Sequence, residues 1–555
     1  MLCFLFFFLR KSLTLDLNKS KNEKIMIRKA LLLTGLALCQ LLAAQNPVQY
    51  DPDCCTSIMV GKAASTDGSV MTSHTCDSWY RTWVNVQPAA DYPNDTVMSI
   101  YKGRMHTESW TDQTNAVESG KIPQASHTYS FLDTAYPCLN EKQLAMGETT
   151  ISGRKELQNK EGMFLIEELQ RVTLQRCTTA RQAIRLMGDL IKKYGYGDSG
   201  ECLTIADPKE VWHFEVFGEG PDKLGGVWAA VRIPDDEVGV SANIPRIGAL
   251  DLKDTDRYMA SDNVFEVAKR LKLWDGKEPF KFWKVYGGPN RSGQYRSYSV
   301  REFFILSTLA PSLHLDMEGE ELPFSVKPEK KLSVEDVLTY FREYYEGTDF
   351  DITRHLKVAV KDKNGQTDTI VSPVANPWMR TDEVQLLNSL REGAAPQVRN
   401  IAVPQCAYAT VIQLRSWLPD AVGGVCWFSM DNPGQSPRVP IFCGTTDLPD
   451  MYKICGNHRY RQDAALWHYR TANKLATVRW GTARKELEQN IQHFIRKGVT
   501  ELPMVESRYQ ELAEKEGEAA AKAYLTDYTA DFIGATLLRW DQMAARLWNT
   551  YRFGF

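Results

Sequence analysis

Two short apolar runs flank an Asp-Gly pair at residues 67–68, and this arrangement dictates how the chain starts to fold. Thr56 to Lys62 reads as a strand, Ala64-Ser65-Thr66-Asp67-Gly68 as a turn, and Val70 to His74 as the returning strand. Asp-Gly between such runs is a strong short-range hairpin signal, because the tight turn needs positive φ. The chain therefore opens on antiparallel structure. The same hairpin brings Asp77, just past its end, back toward Cys55, which opens the first run.

What precedes Cys55 gives its thiol a second meaning. Met26-Ile27-Arg28-Lys29 is a short basic region, Ala30 to Leu42 is largely apolar, and Ala43-Ala44-Gln45 offers small residues for cleavage. This three-part pattern predicts a removable secretory signal and is too short for a membrane span. Met26 is the expected start, with residues before it an upstream leader. Asn46 to Cys54 is the expected pro-segment. A cysteine exposed as residue one gains a free α-amine of pKa roughly 7.7–8.0. Such an amine can take the thiol proton near neutral pH.

With 24% charged residues and a formal net charge of −3, the chain lacks the basic excess of a nucleic-acid binder. No apolar run after the signal is long enough to cross a bilayer. No CxxC or HExxH spacing occurs, so no metal or other cofactor is expected. Of 12 cysteines, nine follow residue 54. An odd number in an exported protein leaves at least one thiol unpaired. Cys406, Cys426, Cys443 and Cys455 are close enough in sequence for bridges, or are small buried hydrophobes.

Further along, 162–176 and 178–194 read as helices. In the second, Ala180, Ile184, Met187 and Ile191 keep the 3.6-residue period, Thr178 or Thr179 can cap the start and Gly195 the end. Strands are expected at Cys202 to Ala206, Val211 to Phe217, Val227 to Arg232 and Val238 to Ala242. Residues 316–400 are more polar and read as an insertion or edge region with a helix at 333–346. These readings divide the chain into leader, signal and pro-segment (1–54), a core (55–455) and a C-terminal helical region (456–555).

The run Cys55-Thr56-Ser57-Ile58-Met59-Val60-Gly61-Lys62 followed by Asp67-Gly68-Ser69 resembles the mature start of the dipeptidase A family of N-terminal nucleophile cysteine peptidases. These are relatives of penicillin V acylase, bile salt hydrolase and the secernins. Leu139 to Ala145, Gly147-Glu148-Thr149-Thr150, Cys177 to Arg181 and Asp207 to Trp212 extend the resemblance. Trp228 to Val238 with Ser241-Ala242-Asn243 is its most specific block, and Leu525 to Tyr528 a late one. The resemblance implies an α+β fold, a four-layer αββα sandwich with a C-terminal helical region. It implies Cys55 as nucleophile and Asp77 as the carboxylate that orients the amine. Asn243 would supply a side-chain oxyanion donor, Asn140 a backbone N–H to the same hole, and Arg301 would stand behind the nucleophile. His74 lies where the acylase relatives carry Arg and is a candidate substrate contact. The implied substrates are dipeptides with a free N-terminus, so a carboxylate should receive the substrate amine, with Glu148 and Asp236 the candidates. An acylase of N-acyl amino acids or bile-acid conjugates would use the same chemistry with an apolar pocket. A papain-like peptidase would need a Cys-His motif that the sequence lacks. A non-enzymatic surface binder would not need Cys55 at a free terminus. The expected partner is a small peptide, and self-association is left open.

Overall fold

The computed structural model of the chain describes residues 55–289 and 296–553. The expected leader, signal and pro-segment, residues 1–54, lie outside them. Strand β1 (Ser57–Val60) begins just after Cys55, and β2 (Val70–Asp77) returns beside it. In the turn the Asp67 carboxylate accepts from the N–H and hydroxyl of Ser69, and Gly68 takes φ 86°. That left-handed conformation costs glycine nothing.

The two strands open between Val60↔Met71 and Thr56, where Thr75 N–H donates to Thr56 C=O at 3.0 Å. Ser73 fills the gap: its hydroxyl accepts from Ile58 N–H at 2.7 Å and donates to Ile58 C=O at 2.8 Å. Four later strands matter for the site: β3 (Ala145–Thr150), β4 (Glu201–Ala206), β5 (Val238–Ser241) and β6 (Cys406–Leu414). One sheet has seven strands, in the order Ser325–Val326, β5, β1, β2, β6, Gly424–Met430, Val439–Phe442. The other has eight and carries β3 and β4 side by side at its middle. Pairing within both sheets is antiparallel.

The sheets pack face to face, β2 lying against β3 and β4. Helices α1 (Ile166–Leu174) and α2 (Ala180–Tyr194) stand on the eight-stranded sheet's side, α2 directly on its strands. Helix α3 (Val300–Leu309) packs on β5, and the C-terminal helices Ala465–Val478, Trp480–Lys515 and Glu518–Thr550 pack on the far strands of the seven-stranded sheet. The result is the αββα sandwich that the resemblance implies. Because helices cover both outer faces, every residue of β2 and β6 is buried, and neither strand alternates polar with apolar.

Thr179 and Gly195 cap α2 as expected. The expected helix at 333–346 stops at Tyr340, and residues 357–371 form an exposed hairpin apart from both sheets. All nine described cysteines are free and buried, so of the two readings for Cys406, Cys426, Cys443 and Cys455 the structure shows small buried hydrophobes, not bridges. Among the described residues no helix is long and apolar enough to cross a membrane.

The sheets approach closely at Gly147, where an added Cβ would lie 2.1 Å from Ser73 O across the gap and 2.6 Å from Thr204 Oγ1 on the neighbouring strand. Since a backbone oxygen cannot move aside cheaply, Gly147→Ala should cost about 3 kcal/mol of stability. Thermal unfolding checks this, and an unchanged midpoint would mean that the sheets have room to spare.

Candidate active site

Cys55 is fully buried at the end of the sandwich where β1 starts and β5 stops. One guanidinium ties this end together. From the first turn of α3, Arg301 Nη1 donates to Cys55 C=O at 2.6 Å and to Thr56 Oγ1 at 3.0 Å. Its Nη2 donates to Ala242 C=O at 3.0 Å and to Asn243 Oδ1 at 2.9 Å. The helix can place Arg301 there because Ser299 and Glu302 form a capping box at its start. Glu302 does more: its other carboxylate oxygen accepts Ala242 N–H at 2.8 Å. Two consecutive residues of α3 thus grip both sides of Ala242 and present Asn243.

Asn243 sits at φ 64°, a left-handed conformation that asparagine tolerates better than most residues. With its oxygen turned to the guanidinium, its amide nitrogen faces Thr150 C=O at 2.7 Å. A carboxamide nitrogen carries two hydrogens. One is committed to Thr150, which leaves the second available to a negatively charged oxygen.

Asp77 ends β2, fully buried. Its Oδ2 accepts from Arg399 Nη2 at 2.7 Å and from Thr75 Oγ1 at 3.1 Å. Its Oδ1 is buried without a hydrogen-bond partner. Burial raises its pKa, while Arg399, the neighbouring Cys406 and Arg301 pull the other way. His74 lies on β2 between the rings of Tyr136 and Tyr408, with centroids 5.5 and 5.6 Å away. Its Nδ1 is 2.7 Å from Glu148 C=O, and burial lowers its pKa to about 4. The imidazole is therefore neutral at neutral pH. Cys55 Sγ, a His74 ring nitrogen and a Glu148 carboxylate oxygen all lie within 4.8 Å of one another. Burial pushes the Cys55 thiol well above its usual pKa, and the nearby Glu148, Cys76 and Asp77 add to this. No thiolate is stored here, so attack by this sulfur needs a base to take its proton at that moment.

The structure therefore brings together Cys55, His74, Asp77, Glu148, Asn243 and Arg301. It leaves two of the expected residues outside. Asn140 is a hairpin former at the other end of β3: its N–H bonds Leu144 C=O at 3.0 Å, and its side chain bonds Leu174 and Cys177 carbonyls. Its backbone N–H is thus unavailable to an oxyanion. Asp236 lies beyond the other end of β5, half-exposed and paired with Lys327 at 3.1 Å. Val238 pairs with Val60, so Asp236 is about seven residues of strand, roughly 23 Å, from Cys55.

Three participants went unread in the sequence. Arg399 is 322 residues from its partner Asp77. Glu302 was overshadowed by its neighbour Arg301, although Ser299 with Glu302 is a capping-box signature that could have flagged it. Glu201 lies one strand away from Glu148. A second thiol–imidazole–carboxylate set, Cys202, His213 and Glu215, is fully buried between the sheets. Burial lowers the His213 pKa, but Cys202 and Glu215 outweigh it and push it up to about 10. Glu215 also accepts the backbone N–H groups of Arg246 and Ile247, so this set serves as an internal brace.

Comparison with known proteins bears on this arrangement. The probable dipeptidase of Latilactobacillus sakei is 28% identical over 413 residues, covering 72% of this chain and 76% of the relative. The probable dipeptidase B of Streptococcus pyogenes serotype M1 is 24% identical over 470 residues, covering 82% and 84%. The probable dipeptidase of Salmonella dublin is 27% identical over 405 residues, covering 70% and 81%. Among solved structures, penicillin V acylase from Agrobacterium tumefaciens matches 70% of this chain and 86% of its own at 12% identity, with a TM-score of 0.26, too low to support any inference. The match that decides is the one to the family itself, which runs from just before the buried thiol through both sheets: over residues 54–493 the chain belongs to peptidase family C69.

Proposed function

We propose that the chain is an exported cysteine dipeptidase whose nucleophile is Cys55, acting as the first residue of the mature protein. The observation that carries this reading is the Arg301 guanidinium, which joins the carbonyl of Cys55 to the amide of Asn243. A nucleophile and an oxyanion donor held by one rigid group are what acyl transfer requires.

In this mechanism the α-amine of Cys55 takes the thiol proton. A base with pKa roughly 7.7–8.0 is matched to neutral pH. His74, lowered to about 4, is a poor base there. The thiolate attacks the scissile carbonyl, and the second amide hydrogen of Asn243 meets the oxyanion. The amine then protonates the departing amine, and water hydrolyses the thioester. The buried Oδ1 of Asp77 accepts from the ammonium form of the α-amine and holds it in place. Export is supported by the signal-like pattern at Met26 to Gln45.

The site also supports a substrate with a free N-terminus. In a dipeptide the ammonium nitrogen is two bonds, about 2.5 Å, from the carbonyl carbon under attack. A carboxylate that receives it must therefore lie close to the nucleophile, as Glu148 does within 4.8 Å of Cys55 Sγ. His74 supports that carboxylate's backbone and lines the same space. The relatives named dipeptidases agree with this reading.

The test compares a plain dipeptide, its N-acetylated form and a tripeptide. We expect the dipeptide to be cleaved on the order of 10²-fold or more faster than the N-acetylated form, since acetylation leaves a buried carboxylate facing a neutral amide. Preference for the N-acetylated substrate would replace the dipeptidase reading with an acylase one.

A further inference from the structure

Behind Glu148 lies a second carboxylate that the chemistry so far leaves unused. In the β3–β4 ladder Glu148 pairs with Leu203 and Thr150 with Glu201. Glu148 and Glu201 are therefore diagonal neighbours on one face of the sheet. They are 0% and 2% exposed. From these positions the two buried carboxyl groups are within reach of one another, and the Thr150 hydroxyl donates to Glu148 Oε1 at 3.1 Å. Two carboxylates so placed come into contact only while a cation or a proton lies between them.

The surroundings point to a cationic ligand. Glu201 Oε2 is buried without a hydrogen-bond partner, and so is the hydroxyl of Tyr196, which is fully buried among Glu201, Asp198, Glu167 and Glu148. On the nucleophile's side Glu148 faces Cys55, Cys76, His74 and Tyr136. The cation that acts on Glu167, Arg81, is committed to Asp133 at 2.8 Å. Burial raises Glu201 well above the usual carboxylate range, and Glu148 and Asp198 add to it.

We propose that Glu148 and Glu201 together form the receptor for the substrate's ammonium group, which replaces a proton held between the two carboxylates in the empty site. The proposal rests on the dipeptidase reading above and deepens it. No covalent bond changes: a proton leaves to solvent as the ammonium enters, and net charge at the pair is conserved. It follows that KM is high at low pH, where the proton stays, and falls as pH rises through the raised titration of the pair. KM rises again once the substrate amine itself deprotonates, near pH 8.

The experiment is KM and kcat from pH 5 to 9 for wild type and Glu201→Gln on a dipeptide and on its N-acetylated form. For Glu201→Gln we expect KM for the dipeptide at pH 7.5 to rise at least about tenfold, with kcat within about threefold. The acid limb of 1/KM should move down by about one pH unit, because Glu148 loses its like-charged neighbour. The weak cleavage of the N-acetylated form should not change. An unaltered KM profile, or an equal loss on both substrates, overturns the proposal. Should Glu201→Gln fail to fold, calorimetric titration of the wild-type enzyme with a product amino acid, in two buffers of different ionisation enthalpy at pH 6, decides instead. About one proton released per site is expected, and none released overturns the proposal. Failure of the dipeptidase reading would show separately, as wild-type preference for the N-acetylated substrate.

Discussion

Cys55→Ala lowers kcat by at least about 10⁴-fold while leaving a folded protein, if the thiol is the nucleophile. Cys55 is fully buried, but removing one sulfur creates only a small void, about 1–2 kcal/mol by analogy with small core truncations. The Arg301 bonds at this position go to the carbonyl of Cys55, not to its side chain, so the substitution leaves them in place. Steady-state kinetics with a thermal melt separate the two effects. The active wild-type protein should begin at Cys55 when its intact mass is measured, because only a free α-amine can act as the base proposed. Full activity in a protein that still carries residues 45–54 would overturn that base assignment. Retention of a tenth or more of the wild-type kcat by Cys55→Ala would overturn the nucleophile itself.

Asn243→Ala should lower kcat by about 10²–10³, some 2.7–4 kcal/mol, with KM little changed. The structure adds a complication with a remedy. Asn243 holds φ 64°, where alanine pays about 1–2 kcal/mol in stability. Asn243→Gly avoids that steric cost. If the amide serves the oxyanion, both variants lose kcat equally although the alanine variant melts lower. If Asn243 only shapes the backbone, the glycine variant keeps kcat within about threefold of wild type. That result would remove Asn243 from the catalytic machinery and leave Arg301 as a purely structural clamp.

The parts of the site that were legible in the sequence are those written in short motifs. Cys55 and Asp77 flank a hairpin whose turn chemistry is local, and Asn243 ends a strand inside the most specific block. What misled was position along a strand. Asp236 and Asn243 belong to one block, yet β5 runs between them and puts them at opposite ends of the sheet. Asn140 precedes β3 whereas Glu148 lies near the far end of that strand, and the asparagine's polar atoms are used up in closing a turn. Arg399 was illegible for a different reason. Nothing local marks an arginine as the counter-ion of a carboxylate in a strand hundreds of residues earlier. The layered fold itself was read from family resemblance. The fully buried strands β2 and β6 carry no alternation that would have revealed it.

The pairing of β2 with β6 also sets a clock. Asp77 lies opposite Cys406, and its counter-ion Arg399 follows it by 322 residues. At synthesis rates of about 5–20 residues per second, roughly 15–60 s pass between the making of Asp77 and of the arginine that holds it. During that interval the nascent chain carries its thiol but not the strand that walls it in. Asp77 therefore waits for its counter-ion through most of synthesis, and contacts so distant in sequence make folding slow as well. The pocket around Cys55 and Asp77 is complete only once the chain has been made as far as Leu414.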